Sequence, residues 1–94
     1  MADRPELLRE ISLAKARECI VVLRGGSPEI GEDPVPWLDG TTHRRTVHGL
    51  NAAGTHNRCG WHGGAMLVTA DQGLVECHAC ARILGIRPCR LVLT

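Results

Sequence analysis

Two pairs of metal-capable side chains stand out in the sequence, Cys59-Gly60-Trp61-His62 and Cys77-His78-Ala79-Cys80. In each pair two residues separate the ligands, so a tight loop can turn both side chains towards one ion. Zinc takes four sulfur or nitrogen ligands in a tetrahedron, which requires two such loops face to face. Gly60, Gly63 and Gly64 allow the first loop to bend without a Cβ clash. The expected ligands are therefore Cys59, His62, Cys77 and Cys80, and the expected cofactor is zinc. Three residues compete with His62 for the fourth place: His56 lies three residues before Cys59, His78 sits inside the second pair, and Cys89 follows nine residues after Cys80. His43, His48 and His78 otherwise read as surface histidines, and Cys19 and Cys89 as small buried hydrophobes.

Stepping from ligands to supports, the 94-residue chain has no Phe or Tyr and only two tryptophans, Trp37 and Trp61. Aromatic side chains bury the most apolar area per residue, so this core must be aliphatic, and a domain of this size commonly needs a staple. The N-terminus lacks the basic and apolar regions of a secretory signal, and no run approaches the ~18 apolar residues of a membrane span. A cytoplasmic, reducing location is expected, where cysteine pairs serve more often as metal ligands than as disulfides. Four protein ligands leave no open coordination position for a water, and no deaminase, metalloprotease, P-loop or serine-hydrolase motif occurs. The expectation is a non-enzyme.

The elements that would position the ligands read as an α+β domain. Residues 3–18 carry a capping-box spacing from Asp3 to Glu6, with Pro5 in the first turn. Leu7, Leu8, Ile11, Ala14 and Cys19 recur at three- and four-residue intervals, giving an N-terminal amphipathic helix. Continuity of that pattern carries the helix towards Gly25, against the strand preference of Ile20, Val21 and Val22. Residues 25–54 form a Pro- and Gly-rich linker, with a short extended segment within 41–50 and a turn at 51–55. Residues 55–94 form the zinc domain. There Ala65–Thr69 and Leu74–Glu76 read as a β-hairpin turning at 70–73, Ala81–Leu84 as a short helix ended by Gly85, and Arg90–Leu93 as a final strand.

Residues 59–84 resemble a treble-clef or GATA-type zinc finger: Gly73-Leu74-Val75-Glu76-Cys77-His78-Ala79-Cys80 is similar to that family's approach to a Cys-x-x-Cys pair opening a helix. The resemblance implies a zinc knuckle, a hairpin and a helix whose first turn donates the last two ligands. His62 stands where the family has Cys, and the spacer is shorter; a zinc ribbon is nearly as good a match. The resemblance covers under a third of the chain. A second, looser one runs through Cys59, Cys77, Cys80 and Cys89, whose all-thiolate set resembles WhiB-like iron–sulfur regulators.

Charge suggests the partner. Residues 1–40 hold five basic and eight acidic side chains, a balance of −3, whereas residues 41–94 hold six and two, a balance of +4. The six are Arg44, Arg45, Arg58, Arg82, Arg87 and Arg90, and arginine pairs well with phosphate and guanine edges. A DNA- or RNA-associated, transcription-related accessory module is the leading expectation. The competing one is a protein–protein adaptor that docks, or pairs two copies, through the N-terminal helix and the Trp37 loop.

Overall fold

The computed structural model describes residues 7–24, 27–29, 34, 38, 45–60 and 65–94. Strand β1 (Leu7–Ile11) leads into helix α1 (Leu13–Cys19) and strand β2 (Ile20–Arg24), followed by β3 (Ser27–Glu29), β4 (Val47–Gly49) and β5 (Met66–Thr69). A 3-10 turn (Gln72–Leu74), helix α2 (His78–Leu84) and strand β6 (Cys89–Leu93) complete the chain. The result is a small α+β fold. Among the described residues, no helix is long and apolar enough to cross a membrane.

The strands form two sheets. The larger has the order β3-β2-β5-β4, with β2 antiparallel to both neighbours and β4 parallel to β5; the smaller is a parallel pair of β1 and β6. In the larger sheet the alternation of a strand separates two aliphatic layers. Ile20, Val22, Val47 and Leu67 face the central core, shared with Ile11, Ala16, Leu38, Leu74, Cys89 and Leu91. Leu23, Met66 and Val68 face a second layer with Val21 and Leu50. All four residues of β5 are buried, because both of its edges and both of its faces are covered.

Three expectations are corrected. Residues 7–11 are a strand, not part of an amphipathic helix: Leu7, Arg9 and Ile11 lie opposite Cys89, Leu91 and Leu93, and the helix begins only after Ser12, whose hydroxyl accepts from the Lys15 amide at 3.2 Å. The apolar positions at 7, 8 and 11 fit either period, and tertiary pairing decides between them. Residues 20–24 are also a strand, so the β-branched run prevails over continuity of the helical pattern. The hairpin from 65–69 to 74–76 does not form, since β2 and β4 occupy both edges of β5. Thr69 Oγ1 donates to the Cys19 carbonyl and accepts from the Asp71 amide, while the Asp71 carboxylate accepts from Gly73 N–H at 2.9 Å. These bonds roll the chain into the 3-10 turn and away from β5.

The helix ended by Gly85 is present, with Gly85 in the left-handed region at φ 71°, and β6 contains the expected final strand. The described part of residues 25–54 supplies β3 and β4 and places Leu38 in the core. The start of the expected N-terminal helix at Asp3 and the Trp37 loop lie outside the described residues.

Candidate metal centre

Four side chains converge at one end of the larger sheet: His48, Cys59, Cys77 and Cys80, with one potential ligand atom from each lying within 4.8 Å of all the others. His48 is the middle residue of β4. Its neighbour Val47 points to the central core and Gly49 lies against Val75 and Leu84, so strand alternation turns the imidazole to the opposite face. Its Nδ1 lies 3.5 Å from Cys59 Sγ and 3.8 Å from Cys80 Sγ. Zn–S and Zn–N bonds of about 2.3 and 2.0 Å imply tetrahedron edges of about 3.5–3.8 Å, so these separations match those around one zinc ion.

Cys59 sits on a turn that follows β4. The Arg58 amide donates to the Gly49 carbonyl at 2.7 Å, its Nε donates to the Leu50 carbonyl, and Gly60 takes a φ of 72° that a side chain would strain. The Asn57 side-chain Nδ2 donates to Cys59 Sγ at 3.2 Å, the kind of N–H···S contact that fixes a ligand's rotamer and offsets thiolate charge. Cys77 is the N-cap of α2 and Cys80 lies in its first turn, with the Cys80 amide 3.5 Å from Cys77 Sγ. The helix start therefore presents two sulfurs to one point. Close approach of α2 to β4 is permitted by Gly49, where a Cβ would meet Leu84 Cδ1 at 3.2 Å and Cys80 Cβ at 3.5 Å.

The donor set fits zinc. Burial holds the His48 pKa below its usual value, which favours the neutral imidazole that metals bind. Burial also pushes the Cys80 thiol up to about 12 in the metal-free protein; a divalent cation would displace that proton, because zinc binds the thiolate. One histidine with three thiolates suits zinc, and four ligands would close its tetrahedron.

The structure thus brings together Cys59, Cys77 and Cys80, with His48 as the fourth member. His62 lies outside the described residues, as do Trp61 and Arg44. The reading of His48 as a surface histidine is corrected: it is half-buried and faces three sulfurs. His78 is exposed on α2, and His56 is exposed with its Nδ1 against Thr55 Oγ1; neither belongs to the cluster. Cys89 is buried in the central core beside Leu91, so the all-cysteine set 59, 77, 80 and 89 is not assembled. A sequence signal for His48 did exist. It lies in a β-prone stretch next to Gly49, and only an alternating strand would carry it inward beside the cysteines.

The remaining arginines divide. Arg45, Arg82, Arg87 and Arg90 are exposed, while Arg58 is half-buried on the turn before Cys59. Arg45 and Arg90 line a groove of about 990 Å³ together with His78, Cys59 and Cys77. Compared with protein-family models, curated proteins and solved structures, the chain matches none, so neither the treble-clef nor the WhiB-like resemblance gains support from relatives.

Proposed function

We propose that this chain is a small, non-catalytic zinc-binding module in which the metal joins β4, the Cys59 turn and the start of α2. The carrying observation is the convergence of His48, Cys59, Cys77 and Cys80, whose ligand atoms lie within 4.8 Å of one another. The role is structural, because a His/Cys₃ set leaves zinc no vacant position for water or substrate. Native mass spectrometry is expected to find one zinc per chain, and a strong chelator to lower the melting temperature. Absence of bound zinc, with melting unchanged by the chelator, overturns this reading.

The finer reading is that the module associates with DNA or RNA. Its support is the groove beside the centre, which Arg45 and Arg90 line together from distant parts of the chain. Phosphate contacts by these arginines predict binding that weakens steeply with salt. In the same preparation, duplex DNA at low salt is the probe, with Arg45→Ala/Arg90→Ala as the variant. No binding at low salt removes the nucleic-acid reading without touching the zinc one. The protein-adaptor reading has a separate support in Leu8, 71% exposed on β1, and predicts self-association or partner capture lost in Leu8→Ser.

A further inference from the structure

Among the described residues Glu76 is the one buried charged side chain, at 8% exposure, and it stands immediately before Cys77. Its Oε1 accepts from the Val47 amide at 3.1 Å and its Oε2 accepts from the Leu91 amide at 2.9 Å. The backbone repeats the connection: Glu76 N–H and Cys77 N–H both donate to the Val47 carbonyl, at 2.8 and 3.1 Å. Val47 is thus gripped at both its N–H and its C=O by the residues that lead into the metal-facing turn. Val47 also directly precedes His48. On the other side, the Cys89 amide donates to the Val75 carbonyl at 2.9 Å, so residues 75–76 are wedged between β4 and β6.

From this geometry we infer that Glu76 is the positioning residue of the metal centre, holding β4 against the Cys77 turn so that His48 and the sulfurs are in place before the ion arrives. The inference rests on the zinc reading and adds to it a residue that touches no metal. Only a carboxylate meets the requirement. Two backbone amides from different strands point at one side chain, which must therefore offer two acceptor oxygens and no donor. Glutamine would set its own NH₂ against one of those amides. An apolar residue would deprive both of this acceptor in a buried setting, where a lost hydrogen bond is costly. Aspartate is one methylene shorter and cannot span both strands. Without the clamp, β4 can slide relative to Cys77, and the imidazole moves off the fourth vertex of the tetrahedron.

The test compares the full chain with Glu76→Gln, using cobalt(II) as a spectroscopic substitute for zinc, and with Glu10→Gln as the exposed-carboxylate control. Expected for Glu76→Gln is a loss of about 10- to 100-fold in metal affinity, the range typical of outer-shell partners. A changed cobalt d–d absorption, marking altered coordination, is expected with it, and Glu10→Gln should match the wild type. Weaker binding with an unchanged spectrum would reduce Glu76 to a general stabiliser and overturn the inference, as would unchanged affinity. Failure of the wild-type chain to take up cobalt or zinc would instead defeat the metal reading itself. If Glu76→Gln does not fold, hydrogen exchange on the metal-free wild-type chain decides. Protected Val47 and Leu91 amides support a preset site; exchange at the rate of an unstructured chain overturns it.

Discussion

At the scale of single residues, the centre depends on which side of a strand each side chain leaves. Val47, His48 and Gly49 are three consecutive residues of β4; the first faces the central core, the third lies against Val75 and Leu84, and the middle one faces three sulfurs. His48→Ala removes the only nitrogen donor of the cluster and leaves the three thiols as an incomplete set. Zinc affinity is expected to fall by more than the roughly 10- to 100-fold that an outer-shell change costs, measured by competition with a chromophoric chelator. His56→Ala and His78→Ala should each leave it unchanged. The cysteines were legible in the sequence because x-x spacing encodes a local loop geometry, readable without the fold. His48 carries only the weaker signal of a β-prone stretch, because its role arises from a parallel pairing of β4 with β5 that no local spacing encodes. The arginines show the same limit: charge counting found the basic half, but only the fold separates Arg45 and Arg90, which share a groove, from Arg58, whose Nε donates to the Leu50 carbonyl.

At the scale of elements, local chemistry that settles one end of a segment is what reads well. Helix α2 ends where Gly85 adopts φ 71° and its amide reaches the Ala81 and Arg82 carbonyls, and Gly85 identified that stop directly. A Cβ at Gly85 would meet nothing within 4 Å, so Gly85→Ala tests backbone conformation alone. It is expected to destabilise the fold by about 1 kcal/mol, the scale of forcing a non-glycine residue into the left-handed region, with Gly85→Asn costing less. A thermal melt of the zinc-loaded chain reads both. The start of α1 differs from the Asp3–Glu6 capping-box spacing, since the helix is capped at Ser12. The pairing of Leu7–Ile11 with Cys89–Leu93 decides it, using residues some eighty positions away. The missing hairpin has a related cause. Ala70–Gly73 has turn chemistry, but Asp71 and Thr69 spend it on a 3-10 turn, and β5 has no edge left to offer.

At the scale of the molecule, the metal end and the aliphatic core are joined rather than strung in series. The metal-side cluster of Val75, Cys80 and Ala81 packs with Cys59, Cys77, Leu84 and Ile86, while the central core draws on β1, α1, β2, β4, β5 and β6. An N-terminal segment standing apart from a zinc domain predicts that residues 25–94 fold and hold metal without it. The sheet order predicts the reverse. β2 lies between β3 and β5, and its removal would expose the edge of β5 together with Leu67 and Val68, both fully buried; loss of β1 would also take away the strand that pairs with β6. Each buried side chain of this size contributes about 1.5–3 kcal/mol, and a domain has only about 5–15 kcal/mol in total. The fragment 25–94 is therefore expected to lose cooperative unfolding in circular dichroism, and with it the sheet that carries His48. It should bind zinc more weakly than the full chain, through the cysteines alone. A fragment that melts cooperatively with one zinc at full affinity would show that the metal end folds independently, and that β2 is dispensable to it.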